Sequence, residues 1–334
     1  MANNNKWVIS GAPHVHGPES VTKIMWGVVI ALIPAFLVSF YFFGLRALLV
    51  TFVTVVSCLF FEVLINALFF KRPGTLRDGS AMITGLLLAL NLPAGIPLWM
   101  AAVGALIAIG IGKWAYGGLG SNPFNPALVG RVFLLISFPV AMTTWTLPRP
   151  LFGGGFLADA VTGPTPLAIA KEGLKAGQSV GDVMSQLPAY SDLFFGNMAG
   201  SIGEISAIAL LIGGIYMLCR KIITWHIPVA FLGSAFVFAG ILWCCAPDKF
   251  MDPVFHLLTG GMMLGAIFMA TDMVTSPMTC GGKLIFGCGC GVLTILIRTF
   301  GAYPEGVSFA ILIMNAFVPL INRACKPERF ALAK

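Results

Sequence analysis

The sequence predicts an all-α polytopic membrane protein of about ten transmembrane helices in two inverted five-helix repeats. Three observations lead there. Of its 334 residues only 10% are charged and 58% are hydrophobic, with a mean hydropathy of +0.92; ordinary soluble domains are about one quarter charged. Apolar runs long enough to cross about 30 Å of hydrocarbon recur from end to end. Finally, Gly79-Ser80-Ala81-Met82-Ile83-Thr84-Gly85 in the first half echoes Gly260-Gly261-Met262-Met263-Leu264-Gly265 in the second. Each leads through an alanine (Ala89, Ala270) to a proline (Pro93, Pro277). An odd number of spans per half makes the second half enter from the opposite side, with interrupted helices meeting near the midplane. A soluble fold would need several wholly apolar helices in one small core, which surface-to-volume scaling opposes.

The polar stretch from Met1 to Thr22 is not a cleavable signal peptide, because the apolar run follows too late and is too long. His14 and His16 have no further ligands near them and read as polar loop residues rather than a metal site. The first span is expected over Ile24 to Phe43 and the second over Ala47 to Phe70, the latter carrying Glu62. Ser80 to Leu92, closed by Pro93 and Gly95, is too short for a full span and reads as tilted or broken. The fourth span covers Pro97 to Trp114. A Gly- and Asn-rich turn then leads into a fifth, from Ala127 to Pro139, with Arg131 inside it. Beyond a long polar interval, further spans are expected over Ile202 to Leu218, Ile227 to Cys244, Val254 to Thr271, Leu284 to Ile297 and Val307 to Ile321. The domain plan is therefore a tail and first membrane repeat (1–137), an extracytoplasmic loop (138–200), and a second repeat with a basic tail (201–334).

The net charge of +7 reports topology rather than a nucleic-acid partner. Lys71, Arg72, Arg77, Lys113, Arg220, Lys221, Lys283, Arg323, Lys326 and Arg329 fall on one set of connections. Arg46, Arg149, Lys171, Lys175 and Lys249 fall on the other. Both termini are thus expected in the cytoplasm of a multi-pass protein of the inner (plasma) membrane, with the long loop outside. Glu62, Arg131, Asp272 and Arg298 lie within or at the ends of spans, so each should pair or line a polar cavity; pairing between spans is the favoured reading. No motif separates sodium from proton as a transported ion. The eight cysteines avoid the polar loop, which argues against a disulfide framework, and Cys288-Gly289-Cys290 reads as thiols packed among glycines rather than metal ligands.

The interval from Phe138 to Asn197 is too long to be a plain connection. A short surface helix is expected from Ala168 to Ala176, preceded by Asp159-Ala160-Val161-Thr162-Gly163-Pro164-Thr165, an exposed turn bearing two hydroxyls. On the residues alone this is either a polar turn without chemistry or a nucleophilic Thr165 beside the Asp159 carboxylate. Asn122 and Asn125, ahead of the fifth span, offer donor and acceptor together to a polar ligand; equally, an asparagine before proline caps a helix.

Three blocks resemble a known family: Ser10-Gly11-Ala12-Pro13-His14 with Lys23-Ile24-Met25, the stretch from Asp78 to Pro93, and Asn122-Pro123-Phe124-Asn125-Pro126-Ala127-Leu128-Val129-Gly130-Arg131. Together they resemble the D subunit of the Rnf ion-translocating ferredoxin:NAD oxidoreductase, across essentially the whole chain. The second and third blocks are shared with the B subunit of sodium-pumping NADH:quinone oxidoreductase, whose N-terminal segment is usually longer. In that family FMN is joined through its phosphate to the last threonine of a motif close to D-x-x-[ST]-[GS]-[AS]-T. Asp159, Thr162, Gly163 and Thr165 match it, while Pro164 departs from it. The resemblance implies a flavoprotein with covalent FMN as a phosphothreonine ester at Thr165, attached by a flavin transferase from an FAD donor. It also implies a noncovalent riboflavin at Asn122 and Asn125 as the alternative to helix capping. The chain lacks a dinucleotide fingerprint and a cluster-binding cysteine set, so NADH and ferredoxin sites are expected on partner subunits of a membrane-embedded electron-transport complex. Two other readings stand beside this one: the sodium-pump B subunit, and a redox-inactive inverted-repeat transporter.

Overall fold

The computed structural model describes residues 20–70, 76–149 and 162–326. It is built almost wholly of helices. Helix α1 (Val21–Ile65) runs for 45 residues, interrupted where Gly44 adopts φ 60°, ψ −143°. That conformation is open to glycine at little cost, and it divides α1 into two arms of roughly twenty residues, each about 30 Å long. The first two expected spans therefore meet at a single residue with no intervening loop. The carbonyl of Phe42, at the break, accepts the Arg149 N–H at 2.8 Å. Leu37, Phe52 and Phe60 stand exposed along these arms, as expected of a helix that is apolar all round and faces lipid.

Helix α2 (Ser80–Leu90) spans 11 residues, about 16 Å. It begins after Gly79 in the left-handed conformation, and beyond Asn91 the chain stays mostly buried but non-helical through Ile96. The freed carbonyls of Leu90 and Leu92 accept the N–H groups of Gly203 and Ile202 at 2.7 and 3.0 Å. Irregular backbone at membrane depth is tolerated only when its polar groups are satisfied within the protein. That requirement explains why residues 202–206, expected as the start of a span, form buried irregular chain instead; the helix there, α9, is Ala207–Cys219. Helix α3 (Leu98–Gly110) ends short of the expected Trp114, and α4 is Pro126–Ser137.

The span expected over Val254 to Thr271 is likewise broken. It consists of α11 (Pro253–Leu258), Gly260 and Gly261 at φ 66° and 68°, α12 (Met262–Leu264) and a π-helical turn, Gly265–Met269. Both halves of the sequence signature thus begin a helix after a left-handed glycine, Gly79 in one case and Gly261 in the other. Helices α10 (His226–Cys245), α13 (Cys280–Phe300) and α14 (Val307–Ala324) complete the membrane body. Among the described residues five helical stretches, with α1 counted as one, are long and apolar enough to cross a membrane, and α2, α4 and α9 are shorter apolar helices. The chain is a multi-pass, all-α membrane protein. Helix α13 meets α10 along Gly287 and Gly291, a small-residue spacing that lets helix backbones approach closely. Cys290 is buried on α13, whereas Cys288 is exposed.

The polar interval folds into short elements: α5 (Pro139–Thr143), β1 (Trp145–Thr146), β2 (Thr162–Gly163), α6 (Pro166–Lys175), α7 (Val180–Gln186) and α8 (Tyr190–Phe195). They bury a small core of their own, in which Leu167, Val183 and Leu193 pack with Met251 and Phe255 from around α11.

Candidate functional site

The threonine turn is a helix start. Strand β2 pairs antiparallel with β1, placing Thr162 opposite Thr146 and Gly163 opposite Trp145. The chain then passes Pro164 into Thr165, whose extended backbone and hydroxyl cap α6: Thr165 Oγ1 accepts the Ala168 N–H at 3.2 Å, with Pro166 in the first helical position. A polar side chain before proline is a common way to begin a helix, and Asn125-Pro126 and Asp252-Pro253 start α4 and α11 the same way. The expectation of an exposed turn is corrected in part. Thr162 is exposed, but Thr165 is only 3% exposed, because capping draws its side chain against α6. Asp159 lies outside the described residues. The expected surface helix begins two residues earlier, at Pro166, and is half sunk into the core through Leu167 and Ala170.

Pro164 and Ala168 border a cavity of about 860 Å³, mouth included, that also has Trp145, Tyr303, Arg131 and Glu305 in its walls. Lys171 donates to the carbonyls of Gly301 and Tyr303 at 2.6 and 2.9 Å, fastening α6 to the segment before α14. Burial, and next the nearby Lys175 charge, pull the Lys171 ammonium below the usual lysine range.

Arg131, in the wall of this cavity, is paired as the sequence suggests. It forms an ion pair with Glu305 and donates to Asn91 Oδ1 at 3.0 Å and Ser308 Oγ at 2.7 Å. It therefore ties α4 to the end of the short helix α2 and to α14. Arg298 donates to the carbonyls of His256, Thr259 and Gly260, satisfying the break after α11. Glu62 pairs with Lys113 at 2.8 Å and accepts the Trp114 indole N–H at 2.9 Å, while Lys113 also donates to Ser80 Oγ at 2.7 Å. Lys113 sits in the turn after α3, on the connection where the sequence puts it, but it is turned inward. It is 2% exposed, and its partner lies 51 positions away in sequence, beyond the reach of any local pattern. Asp272 accepts from the Thr275 hydroxyl at 3.0 Å.

A second cavity, about 770 Å³ with its mouth, lies at the other end of α4, with Asn122, Asn125, Ser80, Lys113, Thr271 and Asp272 in its walls. It separates the two asparagines chemically. Asn125 is fully employed: its Oδ1 caps Ala127 and its Nδ2 donates to Met269 O at 3.2 Å. Asn122 donates to Phe124 O at 3.1 Å, but its buried Oδ1 accepts nothing. Among the described residues no three His, Cys, Asp or Glu side chains group as metal ligands. Sequence reasoning misses Glu305, which pairs with Arg131, and the buried Glu204. Isolated acids in a Gly-, Ser- and Pro-rich stretch carry no periodic signal.

Known proteins resemble this chain along its full length. It is 46% identical over 331 residues to the D subunit of the proton-translocating ferredoxin:NAD(+) oxidoreductase complex of Clostridium ljungdahlii, covering 98% of this chain and 96% of that one. It is 44% identical over 334 residues to the D subunit of the Na(+)-translocating ferredoxin:NAD(+) oxidoreductase complex of Acetobacterium woodii, covering 99% and 98%. With the D subunit of the ion-translocating oxidoreductase complex of Stutzerimonas stutzeri it shares 42% over 327 residues, covering 93% and 92%. The sequence pattern of the NQR2, RnfD, RnfE family matches residues 8–331, and the chain belongs to that family, alongside the D subunits of Rnf-type complexes.

Proposed function

We propose that this chain is the D subunit of an Rnf-type ion-translocating oxidoreductase in the inner membrane, and that it passes electrons through FMN esterified to Thr165. The observation that carries the attachment is the position of that hydroxyl. It lies at the N-terminus of α6, and the neighbouring Pro164 and Ala168 border a cavity with aromatic walls. The N–H groups of a helix's first turn and its positive end favour an anionic phosphoryl group, and Trp145 and Tyr303 offer apolar faces to a ring. FMN, when bound, supplies the redox chemistry. The chain supplies the anchoring oxygen, the α6 N–H groups and the Arg131–Glu305 wall. Thr162, exposed and held in the β1–β2 pair, lacks that helix end.

The test is flavin fluorescence of the denatured chain in a gel, after expression with an active transferase and FAD. Thr165→Val should abolish it, and Thr165→Ser should retain part of it. Loss of the cap costs Thr165→Val about 1 kcal/mol, too little to unfold the chain, whereas serine keeps the cap. Fluorescence that persists in Thr165→Val, or an adduct mapped to Thr162, would end the proposal. The orphan Oδ1 of Asn122 favours a second, noncovalent flavin in the cavity at the other end of α4, with Asn125 acting as a cap. Asn122→Ala should then lose extractable flavin and keep the covalent one.

The ten-span inverted repeat belongs to this proposal. The arms of α1 with α2, α3 and α4 would form one repeat, and α9 to α14 the other, each with a broken third element. The charge asymmetry favours both termini in the cytoplasm and α6 outside. A cysteine replacing Lys175 should react with a membrane-impermeant thiol reagent added from outside; protection there, with labelling at Arg329→Cys, would reverse the orientation.

A further inference from the structure

Glu204 lies at the junction of the two broken helices. It is buried, and its Oε2 accepts no hydrogen bond. Its loop is the one whose N–H groups complete the end of α2. Two glycines make room for the carboxylate. A Cβ at Gly200 would lie 2.7 Å from Oε1, and one at Gly261 would lie 3.0 Å from Oε2. On the far side of the same break, a Cβ at Gly260 would lie 2.7 Å from Arg298 Nη2. The Gly260–Gly261 pair thus separates a buried acid from a buried guanidinium. Among the described residues Arg298 has no carboxylate at ion-pair distance, and Glu204 has no cation there. The charges of Arg131 from α4, Glu305 from the segment before α14, and Arg298 from α13 all act on Glu204 from beyond ion-pair distance.

A structural carboxylate in such a place would be expected to close an ion pair. This one is held by Ser201 but closes no ion pair among the described residues, and the guanidinium that would neutralise it lies beyond two glycines. We propose that Glu204 is a proton-binding site of this subunit, loaded and unloaded as part of ion translocation. The step is a plain protonation: the carboxylate takes one proton to become the neutral acid and returns it, with no electron transferred at this residue. Two guanidiniums in the surroundings disfavour a metal cation at the same point, whereas a proton adds no bulk and leaves the glycine cradle unchanged. Glu305, whose charge acts on Glu204, lies in the cavity wall and carries the Arg131 pair. The π-helical turn that follows the glycines is an element often found at functional positions.

The inference rests on the ion-translocating reading, but its first test does not need the flavin. Acid-minus-alkaline infrared difference spectra of the purified chain should contain the carbonyl stretch of a buried protonated carboxyl that shifts in heavy water. Glu204→Gln should lose that band. Glu204→Asp, which keeps the acid, should move it. In the reconstituted complex, Glu204→Gln should abolish ion translocation while the gel fluorescence of covalent flavin is retained. A band that persists in Glu204→Gln, no such band in the wild type, or undiminished translocation would each overturn the site. Absence of covalent flavin from the wild type would defeat the redox reading and leave the infrared result standing.

Discussion

Lys113→Met is expected to leave a chain that fails to survive detergent extraction in folded form. The substitution removes the ammonium 2.8 Å from Glu62 Oε1, in a place where both side chains are at most 2% exposed. It also takes a donor from Ser80 Oγ, the first residue of α2. Breaking a buried pair from one side costs about 3–5 kcal/mol, because the remaining charge cannot be rehydrated. That is a large share of a total stability of about 5–15 kcal/mol. Neutralising both partners in Glu62→Gln with Lys113→Met should restore most of the loss. Monodisperse elution during size-exclusion chromatography, followed across a temperature series, separates the single variant, the double variant and the wild type. A single variant as robust as the wild type would show that the pair contributes little to holding α1 against the turn after α3.

Gly291→Leu should be at least as damaging, for a reason unrelated to charge. A Cβ at Gly291 would meet the hydroxyl of Ser234 and the carbonyl of Phe231, and would lie 2.9 Å from the Ala235 nitrogen. Two of these neighbours are backbone atoms of α10, which cannot rotate aside as a side chain can. Overpacking a seam ordinarily costs about 1–3 kcal/mol. Here α10 and α13 would have to part along their length, so the cost should reach the top of that range or exceed it. The control is Gly281→Leu on the same helix, where an added Cβ meets nothing within 4 Å. If both leucines are tolerated equally in a folded-fraction assay, the two helices are not held by this contact.

Much of the fold is legible because lipid imposes a simple rule: apolar runs of a given length must be helices. The break after α2 is legible too, since glycine and proline mark where that rule is suspended. What cannot be read depends on partners distant in the chain. Lys113 reads as a loop charge and does lie in the turn after α3, but nothing local names Glu62 as its buried partner. Ile202 to Ser206 reads as the start of a span because an apolar run follows directly, yet two of its N–H groups are needed by Leu90 and Leu92. Thr165 is legible in one sense and hidden in another. The motif singles it out as a nucleophile, but the same hydroxyl before Pro166 also announces a helix cap, as the asparagine before Pro126 does.

The cap has a consequence for timing. In the folded chain the Thr165 side chain is nearly buried and its oxygen already holds the Ala168 N–H. An enzyme that must bring this oxygen to a phosphorus atom cannot approach it once α6 is seated on Leu193 and Phe255. On the proposed function, modification belongs to the period before that docking, so the newly made polypeptide and not the finished subunit is the transferase's substrate. Supplying the transferase during synthesis should give fluorescent protein, and supplying it to the folded chain should not. Maturation would then run in one direction only, with folding acting as the step that closes the opportunity.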